Sequence, residues 1–209
     1  MKRRVLARFA AFAATALLLP GLLLAHGSAH RGSEELPPAP RPAAFADHSI
    51  YQLGSLWWND RGAQQPLSAL RGRPVVLAML YTSCENTCPV LVEDMKRIER
   101  ALAPAELRGV TFALFSYDPA RDTPAALAAY RLKRNLPDDG WRLFTGDADA
   151  VLELAAVLGV KYKPDGYGDF QHSNLITVLD AEGVVRHQQV GLNAPAAETA
   201  ALLHTLLGR

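Results

Sequence analysis

From about residue 47 onward the apolar positions of this chain follow two periods, one of strands and one of helices. Short apolar alternation over residues 47–58 predicts a strand or hairpin, with Asn59-Asp60-Arg61-Gly62 as its turn. Residues 66–70 read as a brief helical turn before Gly72. Residues 75–80 are continuously apolar (Val75-Val76-Leu77-Ala78-Met79-Leu80), the pattern of a strand covered on both faces. Leu91, Met95, Ile98 and Leu102 then recur at helical spacing, with Glu93, Lys96, Arg97 and Arg100 on the other positions. Pro89 suits the first turn of that helix, where its missing N–H costs nothing.

Residues 110–115 predict a second buried strand, and Asp118-Pro119 a turn. Thr123-Pro124 is a cap followed by a first-turn proline, opening a helix that reaches about residue 135. Residues 141–144 form a short strand. Residues 147–158 form a third helix with Val151, Leu154, Ala155 and Leu158 on one face, and Gly159 stops it. A loop rich in Gly and Asp, residues 164–169, leads to His172 and a strand over 174–179. Residues 180–183 turn the chain into a strand over 184–190, and a last helix over 195–207 carries Leu203, Leu206 and Leu207 as its core stripe. No internal repeat is visible. This order of elements predicts an α/β thioredoxin-like fold, a central mixed sheet flanked by helices.

The first residues have a different pattern. Lys2, Arg3, Arg4 and Arg8 precede an apolar run over 9–25, the layout of an export signal or membrane anchor for residues 1–29. Residues 27–29 and Ala25 are candidate cleavage positions, and cleavage and retention both stay open. Residues 30–46 hold Pro37, Pro38, Pro40 and Pro42 and read as an extended tether. The folded domain is then 47–209, on the outer face of the inner membrane or in the periplasm. A net charge of +1 gives no electrostatic reason to expect nucleic acid as a partner.

Composition adds one decisive fact. The chain has only two cysteines, too few for a disulfide framework, and they stand together in Tyr81-Thr82-Ser83-Cys84-Glu85-Asn86-Thr87-Cys88-Pro89. A buried strand ends and a helix begins at this stretch, where thioredoxin-like folds carry redox chemistry. Cys84 and Cys88 therefore read as a redox-active disulfide pair, a soft-metal site, or both. The helix N-terminus should lower the Cys88 pKa, while nearby Glu85 acts in the opposite sense.

Two thiolates need a third ligand to hold a metal well. Of the histidines, His26 and His30 fall in the leader and tether, His48 precedes the first strand, and His187 and His204 read as solvent-facing. His172 begins the strand expected to approach the cysteine loop. Cys84, Cys88 and His172 form a soft donor set suited to copper, with zinc as the alternative.

Three stretches together resemble the Sco/SenC family, copper-binding thioredoxin-like proteins that help assemble the copper centre of cytochrome c oxidase. Cys84-Glu85-Asn86-Thr87-Cys88-Pro89 resembles the family's Cys-x-x-x-Cys-Pro. Residues 116–124 resemble its Asp-Pro-x-Arg-Asp-Thr stretch, and Tyr162 through His172-Ser173 resembles the segment with the ligand histidine. The resemblance covers residues 47–209 and implies Cys84, Cys88 and His172 as copper ligands. It implies as partners a membrane-bound cytochrome c oxidase subunit or another copper protein, and a copper-donor protein upstream. Two features depart from the family pattern: Glu85-Asn86-Thr87 lies between the cysteines, where many members carry a Pro-Asp pair, and Gln171 stands where an aspartate is usual. Loss of that acid should weaken support of the imidazole. Residues 118–124 have an adequate reading as a turn plus helix cap and carry no ligand role.

The alternative function is an extracytoplasmic thiol–disulfide oxidoreductase that reduces metal-site cysteines of a partner. A peroxiredoxin is disfavoured, because Tyr81 occupies the position three before Cys84 where that chemistry needs Thr or Ser.

Overall fold

In a computed structural model, residues 44–208 are described. The proposed signal or anchor and most of the tether lie outside them. The buried run Val75–Leu80 forms strand β3, an interior strand of a seven-stranded sheet, with all six residues buried. Together with β1 (Leu56–Asn59), β2 (Gln64–Pro66), β4 (Thr111–Ser116), β5 (Trp141–Thr145), β8 (Leu175–Leu179) and β9 (Val185–Val190), it gives the order β2-β1-β5-β4-β3-β8-β9. β3, β4 and β5 run parallel to one another, while the β1–β2, β1–β5, β3–β8 and β8–β9 pairings are antiparallel. Two short strands, β6 (Tyr162–Pro164) and β7 (Phe170–His172), form a separate antiparallel hairpin.

Helices connect the parallel strands, as such connections require. They are α1 (Thr87–Arg100), the short α2 (Pro104–Leu107) and α3 (Pro124–Lys133), followed by α4 (Ala148–Leu158) and the closing α5 (Ala197–Leu207). α1 buries Leu91, Met95 and Ile98 and packs on β3, β8 and α5. α3 packs on β5 and β1. Thr123 caps α3 by accepting from the Ala126 N–H at 3.2 Å, and Asp147 caps α4 by accepting from the Ala150 N–H at 2.8 Å. Gly159 ends α4 in the left-handed conformation with φ 71°, which a side chain would oppose.

Three expectations change here. Residues 50–52 form a 3-10 turn instead of strand, because the Ile50 N–H bonds to the Gly183 carbonyl at 3.0 Å and the Ser49 hydroxyl accepts from the Tyr51 N–H. The hairpin is β1–β2, with Asn59 to Gly62 as its turn. His172 ends β7, paired with Tyr162, instead of opening the following strand. His187 is half-buried, not solvent-facing, and its Nδ1 lies 3.8 Å from a Glu198 carboxylate oxygen.

Candidate metal and redox site

The site forms where β3 and β4 end side by side. Leu80 is in register with Ser116, and the Tyr117 N–H donates to the Leu80 carbonyl at 2.9 Å. Past these ends the chain must leave the sheet, so one edge presents two loops. The loop after β3 carries Cys84 and runs into α1, whose first turn holds Cys88. Cys84 is 2% exposed and Cys88 is wholly buried.

The β6–β7 hairpin brings His172 over this pair. One ligand atom each from Cys84, Cys88 and His172 lies within 4.8 Å of the others. His172 Nε2 is 3.9 Å from Cys88 Sγ and 3.0 Å from the Thr87 hydroxyl. His172 Nδ1 is 3.2 Å from the Ser173 carbonyl, which can only accept. Nδ1 therefore carries the proton of the neutral ring, and the Nε2 lone pair faces the sulfurs. That is the tautomer a metal ligand needs, so the three residues fit a soft metal ion. Gln171 is exposed and lies on the opposite face of β7 from His172, so a backbone carbonyl supplies the orienting contact expected of an acid there.

The sulfurs are unequal. The Cys84 thiol pKa is lowered to about 3, first because the Cys88 thiol donates to it, with burial opposing and the Cys88 and Asn86 N–H groups adding support. Cys88 is pushed up, first by its partnership with Cys84 and then by burial. The helix start was expected to lower the Cys88 pKa, with Glu85 opposing, and the thiol that is lowered is instead Cys84. The Cys88 N–H donates to Cys84 Sγ at 3.4 Å, so the helix-start donor reaches back to the preceding loop. Proximity to the helix therefore favours a neighbour's charge, not the charge of the cysteine inside the turn.

An aromatic wall surrounds the sulfurs. Tyr117 stacks with Tyr162 at 5.2 Å and meets the His172 ring at 5.5 Å, and Tyr81 packs on Phe170 at 5.1 Å. Burial raises the pKa of both Tyr81 and Tyr117, so both phenols stay protonated beside the thiols. Tyr81 donates its hydroxyl to Asp169 in the hairpin loop.

Residues 116–124 touch the site, although the sequence reading gave them only a turn and a cap. Asp122 is wholly buried. Its carboxylate accepts from the Thr82 N–H at 2.9 Å, the Thr82 hydroxyl at 2.5 Å and the Ser116 hydroxyl at 2.6 Å. Arg121 pairs with Asp118 and donates to the Gly168 carbonyl at 2.6 Å. The sequence marked this stretch, but not that it reaches residues some forty positions away on either side.

The SCO1/SenC family model matches residues 56–207, nearly all of this fold and every residue of the site. The chain belongs to the SCO1/SenC family. The SCO1 protein homolog of Bacillus subtilis is 28% identical over 141 residues, covering 66% of this chain and 72% of that protein. Among solved structures, Bradyrhizobium japonicum ScoI with copper bound is 25% identical, with a TM-score of 0.62, over 73% of this chain and 97% of ScoI. BsSco, a Sco-family cytochrome c oxidase assembly protein with an identified disulfide switch, shares the fold: TM-score 0.63, 24% identity, 72% of this chain and 90% of BsSco. The thioredoxin-like fold expected from the element order is the fold of these Sco structures.

Proposed function

We propose that this SCO1/SenC chain is a copper chaperone: it holds copper through Cys84, Cys88 and His172 and delivers it during assembly of the cytochrome c oxidase copper centre. The observation that carries this reading is the convergence of two sulfurs and an unprotonated imidazole nitrogen within 4.8 Å. Thiolate ligands favour Cu(I), and a three-ligand site leaves the ion accessible for transfer. The ScoI relative with copper bound supports the choice of metal. Copper is cargo here, taken from a donor protein and passed to a membrane-bound oxidase subunit or another copper protein. The same reading assigns residues 1–29 to export or anchoring and 30–46 to a tether, placing the domain in the periplasm or on the outer face of the inner membrane. Among the described residues, no helix is long and apolar enough to cross a membrane.

Anaerobic titration of the reduced domain with Cu(I), repeated on His172→Ala, tests the assignment. The wild type should bind one equivalent, and His172→Ala should bind about 10–100-fold more weakly. No binding by the wild type at micromolar copper sinks the reading, and unchanged binding by His172→Ala removes the histidine from the ligand set.

The inequality of the two sulfurs supports a second activity, reduction of a partner's disulfide. The Cys84 thiolate would attack one partner sulfur, forming a mixed disulfide and releasing the other as thiolate. Cys88 would then lose its proton and attack Cys84, leaving a Cys84–Cys88 disulfide and a fully reduced partner. A pair that does not oxidise and reduce reversibly against glutathione would remove this reading.

A further inference from the structure

Residues 118–123 connect to both arms that carry the candidate ligands. On one side Asp122 holds Thr82, two positions before Cys84, by its N–H at 2.9 Å and its hydroxyl at 2.5 Å. On the other side Arg121 reaches the β6–β7 loop, donating Nη1 to the Gly168 carbonyl at 2.6 Å. The Arg121 guanidinium carbon also lies 5.7 Å from the ring centres of both Tyr81 and Phe170. Tyr81 belongs to the cysteine arm and Phe170 to the histidine arm, so one planar cation bridges the two. Asp118 fixes the other edge of that cation.

The hairpin's other ties to the cysteine and β4 ends are side-chain contacts: the Tyr81 hydroxyl on Asp169, Phe170 against Tyr81 and Tyr117, and Tyr162 against Tyr117. β6 and β7 pair only with each other, as strands of three residues, and are not part of the main sheet. A two-stranded ribbon of this size is marginal alone, so its position depends on side-chain contacts. We propose that Arg121 and Asp122 are positioning residues for the candidate ligand set: Asp122 locks the cysteine loop to the end of β4, and Arg121 locks the His172 hairpin to that loop. The distance between imidazole and sulfurs is then set by adjacent side chains of one turn. The proposal rests on the copper reading above for its binding readout, but it concerns the apoprotein and has a readout of its own.

Arg121→Met keeps most of the side-chain length and removes the charge and the fork of donors, while Arg121→Lys keeps the charge. Because the Arg121 side chain is 44% exposed, both should fold, with thermal midpoints near that of the wild type. Arg121→Met should raise amide hydrogen exchange across residues 162–172 in the metal-free protein and weaken Cu(I) binding about tenfold or more. Arg121→Lys should recover part of both effects. In the His172→Ala background, Arg121→Met should cause no further loss of Cu(I) affinity, because its effect runs through the histidine arm. Unchanged hairpin exchange in Arg121→Met overturns the proposal. An equal loss of affinity with and without His172 also overturns it, since Arg121 would then act on the cysteines or on general stability. If the wild type binds no Cu(I), the copper reading falls, and hairpin exchange alone decides the brace.

Discussion

At the scale of single residues, the main result is that the two cysteines are chemically different. Cys84 receives hydrogen bonds from the Cys88 thiol and from N–H groups at the start of α1, and its pKa falls to about 3. Cys88 is buried as the neutral donor and its pKa rises. The sign of the linkage follows. A lowered folded-state pKa gives the reduced protein a stabilisation that is complete above the ordinary thiol pKa and is lost as pH falls toward about 3. The metal-free reduced protein should therefore show one thiolate by ultraviolet absorbance at neutral pH and well into the acid range. Cys88→Ala removes the leading cause of the shift, so the Cys84 midpoint should move upward. A wild type with no thiolate at neutral pH, or a Cys88→Ala midpoint that stays put, would contradict this account. The lowering influence expected at Cys88 acts on Cys84 instead, because helix proximity alone does not say which sulfur the free N–H groups face.

At the scale of elements, legibility followed periodicity. β3, α1 and α4 were readable because continuous burial, helical spacing and caps are local signals. The β6–β7 hairpin was not readable, because strands of three residues with polar Lys163 and Gln171 carry no period. The four-residue α2 also went unseen. Residues 50–52 read as strand from alternation, yet their conformation is set by the β8–β9 turn more than a hundred residues away. Gly183 in that turn has φ 80°, and a Cβ there would stand 2.6 Å from the Tyr51 ring. The ring is 2% exposed and has little room to retreat. Gly183→Ala should therefore cost about 1–3 kcal/mol, from the left-handed backbone and the overpacked ring together. Urea denaturation checks this, and a loss within 0.5 kcal/mol would mean that the 3-10 turn moves freely.

At the scale of the molecule, site and stability sit at opposite ends of the parallel strands. The sulfurs and His172 gather past the C-terminal ends of β3 and β4, where the sheet supplies rigid anchors and the loops supply chemistry. Toward the start of β5, Arg131 and Asp60 form an ion pair at 2.5 Å with side chains only 9% and 6% exposed. Arg131 also donates to the Pro137 carbonyl at 2.7 Å and the Trp141 carbonyl at 3.3 Å, tying α3, the β1–β2 turn and β5 together. None of this was visible in the sequence, where Asp60 read only as a turn residue. Asp60→Ala would leave a buried guanidinium with only the exposed Asp138 carboxylate, 3.7 Å from its Nε, as counter-charge, so the cost is at most the about 3–5 kcal/mol of a fully broken buried pair. Because the pair shares no partner with Cys84, Cys88 or His172, the folded fraction should bind Cu(I) within about twofold of the wild type. Chemical denaturation and Cu(I) titration on the same preparation separate the two quantities. If affinity falls in step with stability, the two ends of the sheet are energetically coupled, and the division between a stabilising end and a reactive end is wrong.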